Sequence, residues 1–413
     1  MVRGEVLVDG GARILVVVGG VPHPSVGASV VLYHHYIEGL RREGYRILNL
    51  MLLQPDNSDE AGLDEYRARL QEGEDFQIVT CRSPRFVQTS RYRHAFDHAA
   101  LTPVRAQIEA FQPQVTLCLD FASAWAVEGW SVGSRVVWLG DLNFQTFLHH
   151  ALYSLKEGEA RFRHVAMALW HAWLWRRLYR RVLRPCESVV VSSKSSERHL
   201  AALGVHSGYQ PYPWPAEPPP ERMGVKAERP TFFFFGQLQG LGSRSAFHVT
   251  VEGIYPRLVR TWGKGGFEIL IGGRGGLPAW VEAAIADKPE FRYLGFVEDL
   301  DEIMGRCHAL LAPIDVPVGN RSRILTALSK RMVVVAHVNT ALGNPDLVDG
   351  RSCYLADGPD AYVERLRRAV DNPEEAAAVA ERGFQVYKRL FAPDVAVAVM
   401  NDIIRATLSG RVK

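Results

Sequence analysis

The sequence predicts an α/β protein built from two doubly wound, parallel-sheet domains. Three observations carry that prediction. Short apolar runs, such as ILVVV at 14–18, VTLCL at 115–119, FFFF at 232–235 and VVVA at 333–336, recur along the chain. Between them lie longer segments with apolar residues at helical spacing, many closed by Gly. Strands that alternate with helices make parallel sheets covered on both faces, and strands buried on both faces read as unbroken apolar runs. Finally, the alternation is interrupted once, by the proline-dense stretch PYPWPAEPPPERM within 211–230, and restarts at Thr231. Such a stretch reads as a linker.

The first unit opens with the strand at 13–19, which ends in Gly19-Gly20. The loop VPHPSVGAS leads into a helix at 30–43, and YRILNLMLL is the next strand. This is a βαβ unit with glycine in its first turn, but the turn lacks the GxGxxG spacing of dinucleotide sites. Gly27 and Ala28 are small residues near the helix start, where a ligand can approach the backbone closely. A tight loop without a ligand is the equal alternative. FQIVT follows as a strand, then a helix at 101–111, then VTLCLD ending at Asp120. After a short helix or loop at 121–130, SRVVWLGDL ends at Asp141. Polar residues at the carboxyl ends of parallel strands sit where α/β sheets bind ligands. Asp120 and Asp141 are therefore site candidates, although a strand-terminal Asp more commonly caps the next helix.

Residues 151–184 form one long helical pattern whose core, WHAWLWRRLYRRVLR, combines Trp170, Trp173 and Trp175 with a run of Arg. Trp170, Trp173 and Leu174 fall at core spacing, so packing against the sheet is the ordinary use of this helix. A basic, Trp-rich helix also suits an anionic membrane surface, which makes peripheral contact through 161–184 the alternative. SVVVSS and the helix KSSERHLAAL complete the first unit.

Beyond the linker come TFFFFG, the loop QLQGLGSRSA, a helix through 255–259, the strand GFEILIGG, a helix at 278–286 and the strand FRYLGF. DLDEIMGRC is helical and CHALLAPI is a strand. The segment 312–336, APIDVPVGNRSRILTALSKRMVVVA, is the unit on which the second domain turns. It reads as strand end, Gly turn, helix and strand, with Ile324, Leu325 and Leu328 on one helix face. Helix N-termini carry unpaired N–H groups and partial positive charge, and Asn320, Arg321 and Arg323 add donors at the same end. That combination suits phosphate, while an ordinary crossover with solvated Arg is the equal alternative. SCYLA and helices at 360–370, 374–390 and 394–408 end the chain.

Composition narrows the function classes. The 413 residues suit two domains of ordinary size, with 47% hydrophobic and 23% charged residues as in globular proteins. A net charge of +3 gives no global basic field, which argues against a nucleic-acid partner. Cys81, Cys118, Cys186, Cys307 and Cys353 are scattered and have no metal-ligand spacing, pointing to a reducing compartment and a cytoplasmic protein. The N-terminal stretch has no signal-peptide core, and no apolar run reaches membrane-spanning length.

The layout resembles the GT-B glycosyltransferases, most closely glycosyltransferase family 4, over nearly the whole chain. The opening strand, glycine loop and helix ending LRREGYRILNL are similar to the family's first βα unit, whose Gly pair stands beside the donor diphosphate; here the pair is Gly27-Ala28. YLGFVEDLDEIMGRCHALLAPI resembles the segment bordering the nucleotide base, which implies that role for Gly295, Phe296 and Val297. FFFFGQLQG resembles the Gly-Arg-Leu loop, with Gly236 as its glycine. GNRSRILTALSKRMVVVA is similar to a block in which an Arg pair opens the helix, which implies donor binding by Gly319, Asn320, Arg321 and Arg323. The sequence also departs from the family. Val318 and Thr326 stand where a Glu-x7-Glu pair is usual, Gln237 replaces the loop Arg, and Arg244 is the nearest cation to the expected Lys.

The resemblance implies a GT-B fold of two Rossmann-like domains facing across a cleft. Residues 1–210 would hold the acceptor, 211–230 the linker, 231–393 the nucleotide sugar, and 394–413 a helix crossing back to the first domain. The expected activity is transfer of a sugar from a nucleotide-diphosphate sugar, with retention, to an unidentified glycan, lipid-linked or small-molecule acceptor. No cofactor or metal is expected beyond the nucleotide sugar as co-substrate. The candidates for activating the acceptor are Asp120, Asp141 and His149. The lost carboxylates favour one alternative, a degenerate GT-B protein that binds a nucleotide or partner without catalysis; a sugar-nucleotide epimerase is a further alternative.

Overall fold

A computed structural model describes residues 11–25, 27, 29–53, 60–70, 72–82, 86–90, 93–96, 98–158, 161–215, 224–317 and 322–410. The chain divides into two compact units. The first comprises Met1–Leu148, Arg163–Pro215 and Pro393–Lys413, and the second comprises His149–Phe162 and Ala216–Ala392.

Before the linker the chain runs through β1 (Arg13–Gly19), α1 (Ser29–Arg42), β2 (Arg46–Leu53), α2 (Glu60–Arg69), β3 (Phe76–Arg82), β4 (Phe86–Ser90), β5 (Arg93–Phe96), α3 (Thr102–Phe111), β6 (Val115–Leu119), α4 (Phe121–Ala126), β7 (Ser134–Leu139), α5 (Asn143–Lys156), α6 (Phe162–Leu183), β8 (Ser188–Val191), α7 (Lys194–Ala201) and β9 (Gly208–Tyr209), all in the first unit except 149–162, which the second unit takes. Seven strands form one sheet in the order β3-β2-β1-β6-β7-β8-β9, with every pair parallel. β4 and β5 form a separate antiparallel hairpin. The unbroken apolar strands follow from burial on both faces: Ile14 to Val18 and Leu117 to Leu119 are wholly enclosed.

The helical pattern at 151–184 is two helices, not one. α5 ends before a turn at Glu157-Gly158, where Gly158 takes φ +74°. That backbone region is open to glycine and strained for other residues, so the helix ends there. α6 then lays Trp175, Leu178, Tyr179, Val182 and Leu183 into the core. Phe121 stacks on Tyr179 with centroids 3.7 Å apart, and Trp125 meets Trp175 edge-on. Trp170 and Trp173, expected in the core, instead face solvent at 41% and 45% exposure. Trp175, five residues on from Trp170, points to the opposite side of the helix and takes the core position.

The second unit runs through β10 (Thr231–Phe235), α8 (Leu241–His248), a π-helical segment at Val249–Ile254, α9 (Tyr255–Trp262), β11 (Glu268–Gly272), α10 (Ala279–Ile285), β12 (Phe291–Gly295), α11 (Leu300–Arg306), β13 (Ala309–Ala312), α12 (Ser322–Ser329), β14 (Val334–His337), α13 (Asn339–Gly343), β15 (Tyr354–Ala356), α14 (Pro359–Asp371) and α15 (Pro373–Leu390). Six parallel strands lie in the order β12-β11-β10-β13-β14-β15. Pro256 has no N–H to return to the carbonyl of Glu252, which accounts for the widened π turn just before it.

The last helix, α16 (Pro393–Leu408), belongs to the first unit and packs on α1. The fit depends on Gly39: a Cβ there would stand 2.3 Å and 2.8 Å from the two methyls of Val397. Polar contacts fix the register. Tyr45 donates its hydroxyl to Asn401 Oδ1 at 2.6 Å, and Asn401 Nδ2 donates to Glu43 at 2.6 Å. Arg405 reaches the same carboxylate at 3.1 Å.

Candidate functional site

In an open parallel sheet, ligands bind beyond the carboxyl ends of the strands where the strand order reverses. In the second unit that point lies between β10 and β13. Immediately after β10, Gly236 adopts φ +132°, a region essentially reserved for glycine. A Cβ there would lie 2.9 Å from Nη2 of Arg323, so the missing side chain leaves room for the guanidinium against the loop. Arg323, in the first turn of α12, donates from Nη2 to Ser243 Oγ at 2.5 Å, tying α12 to α8. Two residues on, Ser245 donates to the carboxylate of Asp315, in the loop after β13. Asn339 Nδ2 donates to the carbonyl of Asp315 at 2.5 Å, so that loop is held from both sides.

Glycines continue this edge. Gly236 N–H donates to Gly272 O at 3.0 Å, and Gly273 N–H donates to Gly295 O at 2.8 Å. Gly295 takes φ +71°. The next residue, Phe296, is 56% exposed, and Arg274 from the glycine loop after β11 lies 4.7 Å over its ring. Val297 closes against Gly272. Tyr293 donates its hydroxyl to Gly273 O at 3.2 Å and to Gly275 O, which shapes the glycine loop. An exposed flat ring beside a guanidinium, on a backbone-lined edge, offers a stacking surface and donors for an anion.

The first unit has its own reversal point, between β1 and β6. Asp120 lies there, with φ 135°. Its side chain caps α4 by accepting from Ser123 N–H at 2.7 Å, and Tyr33 donates to its other oxygen at 3.4 Å. Gly19, at the end of β1, makes room: an added Cβ would stand 2.9 Å from that oxygen. Burial raises the Asp120 carboxyl above the usual range, countered in part by the Ser123 and Tyr33 hydrogen bonds. The Tyr33 hydroxyl is likewise pushed up, by burial and then by the Asp120 charge.

Of the sequence-derived candidates, Gly236 and Arg323 are in contact, and Gly295, Phe296 and Val297 lie along the same sheet edge. Arg244 stacks over Trp280 at 5.5 Å and Tyr153 at 5.9 Å. Gly27 takes φ +92°, and a Cβ there would meet Val30 at 2.6 Å. Asp141 is exposed after β7, and His149 is half-buried on α5 among the residues of the second unit. Ala28, Val318, Gly319, Asn320 and Arg321 lie outside the described residues. Ser243, Ser245, Asp315 and Tyr33 escaped the sequence analysis. The signal for the serines was a small, polar loop directly after an apolar strand.

Comparisons with known proteins bear on the fold. Residues 229–372 match the family model described as Glycosyl transferases group 1. Two doubly wound parallel sheets in these orders make this the GT-B fold of glycosyltransferases. Sucrose-phosphate synthase from Thermosynechococcus elongatus is 12% identical over 97% of this chain and 100% of its own, with a TM-score of 0.66. A glycosyltransferase from Rickettsia africae is 12% identical over 96% of this chain and 99% of its own, with a TM-score of 0.65. The Anabaena protein HepE, in complex with UDP and glucose, is 13% identical over 96% of this chain and 99% of its own, with a TM-score of 0.59. No curated protein sequence matches the chain.

Proposed function

We propose that the protein is a glycosyltransferase that moves a sugar, with retention, from a nucleotide-diphosphate sugar to an acceptor. The observation that carries this reading is the cluster of Gly236, Ser243 and Arg323 at the reversal point of the second unit, inside the family-matched segment. A departing nucleoside diphosphate gains charge in the transition state, and preorganised donors aimed at that charge are an effective form of catalysis. Arg323 supplies the cation and the Gly236 loop lets the phosphates approach the main chain. In the sequence, Gly319, Asn320 and Arg321 directly precede α12 and are candidates for further donors. Gly295, Phe296 and Val297 border the base, with the Phe296 ring available for stacking. UDP and glucose bound to the similar Anabaena protein support a nucleotide sugar as the donor class. The acceptor belongs to the first unit, where Asp141 is solvent-exposed after β7 and Asp120 caps α4.

The test is a panel of nucleotide sugars incubated with the protein, with and without an acceptor extract, following free nucleoside diphosphate. Acceptor-dependent release supports transfer. Donor binding without turnover would instead make the chain a non-catalytic GT-B protein, and isomerised donor would make it an epimerase.

A further inference from the structure

We propose that the solvent face of α6 is a docking surface for an anionic lipid bilayer. The large apolar side chains that stand exposed are concentrated here: Phe162 at 76%, Met167 at 57%, Leu169 at 54%, with Trp170 and Trp173. The two indoles stack on each other, centroids 5.0 Å apart, and present one broad apolar face. The core side of the same helix is satisfied separately by Trp175, Tyr179 and Val182, so the exposed indoles are not a misplaced core. The outer face changes character along its length. After Arg163 and His164 in the first turn it is apolar as far as Trp173, and from there arginine dominates, with Arg180 and Arg184 exposed and Arg177 lying 4.8 Å over Trp173.

The charge identifies the occupant. From 161 to 184 the chain carries seven Arg and no Asp or Glu. A protein interface buries a core depleted of charge behind a polar rim, and a basic stripe along a helix meets nucleic acid through phosphate charge, with no use for a broad apolar face. Large apolar side chains beside a strongly basic run, in which Arg181 is paired with Glu128, instead match the two layers of a bilayer surface: acyl boundary and anionic headgroups. Among the described residues no helix is long and apolar enough to cross a membrane, so α6 would lie in the interface plane. This inference stands independently of the donor site.

The experiment is vesicle flotation of the full-length protein, using phosphatidylcholine alone and phosphatidylcholine mixed with phosphatidylglycerol. The expected result is flotation with the anionic vesicles only, weakened by salt, with a blue shift of Trp fluorescence. Trp170→Ser/Trp173→Ser should weaken partitioning by about tenfold or more. Arg180→Glu/Arg184→Glu should weaken it at least as much, since each charge near such a surface contributes roughly fivefold. Arg306→Glu, exposed on α11, should float like the unaltered protein. Brominated phosphatidylcholine in the anionic vesicles should quench Trp emission of the unaltered protein, a readout that needs no variant. No flotation at low salt, no quenching, or flotation indifferent to the Trp pair would each overturn the proposal. So would RNA binding in place of lipid binding through the same arginines.

Discussion

The contact between α1 and α16 gives a quantitative prediction through Gly39 and Val397. Gly39→Ala gains about 0.8–1 kcal/mol of helix propensity. It also places a methyl 2.3 Å and 2.8 Å from the Val397 methyls, well inside contact distance. Overpacking of that kind costs about 1–3 kcal/mol, so the single variant should lose roughly 1 kcal/mol. Val397 is buried, and Val397→Ala removes two methyl groups, costing about 2 kcal/mol with its cavity. In the double variant the new methyl at 39 occupies the space vacated at 397. Both methyl clashes go, leaving only the Cβ of residue 397 at 3.0 Å to move by a few tenths of an ångström; the propensity gain remains, and the net loss should be about 1 kcal/mol. The coupling is therefore about 2 kcal/mol relative to the sum of the singles. Two units need not unfold together, so the assay is hydrogen exchange of peptides spanning 29–42 and 393–408, which reports local opening free energies. Additivity within about 0.5 kcal/mol would refute the close packing of the two helices at Gly39.

Arg323→Ala should weaken donor binding about tenfold to a hundredfold, because a charge-assisted hydrogen bond contributes about 1.5–3 kcal/mol; calorimetry with a nucleotide sugar measures it. Burial, followed by the charges of His35, Arg69 and His23, holds the His34 imidazole down at about 4 in the folded protein, against 6.5 normally. Below 6.5 the unfolded chain takes up a proton that the folded chain refuses, so this ring costs stability progressively as pH falls from 6.5 to 4. His34→Gln should flatten that slope by on the order of 2 kcal/mol, a figure reduced from full linkage for residual solvent contact, in urea titrations across the window. Lys330, 5% exposed, pairs with Asp301 at 2.9 Å; Lys330→Ala should cost about 2–3 kcal/mol and lower the thermal midpoint, less than a fully buried pair because Asp301 keeps solvent contact.

Most strands were legible in the sequence because double-sided burial leaves them as continuous apolar runs, as in β1, β6, β10 and β13. The polar helix α2, EAGLDEYRAR, and the β4–β5 hairpin have no such run and were not read. At α6 periodicity was present but ambiguous: Trp170, Trp173 and Trp175 sample both faces of one helix, and only tertiary packing selects Trp175 for the core. Arg323 was legible from its place at a helix start. Its partner Ser243 was not, because the two are separated by 80 residues and meet only where β10 and β13 lie side by side. Asp120 was left open between a cap and a site residue. The structure shows the cap bond to Ser123 and adds a Tyr33 contact that no local pattern announces.

The membership of α16 in the first unit has a consequence for synthesis. β1 and α1 leave the ribosome before the second unit, but the helix that covers α1 at Gly39 emerges only after residues 216–392 of the second unit. Vectorial folding normally completes the N-terminal domain first. Here the second unit can mature while the first still exposes the apolar side of α1, and closing that distant contact is entropically slow. A premature stop or a proteolytic cut near Pro393 would therefore damage the unit made earlier and spare the unit made after it.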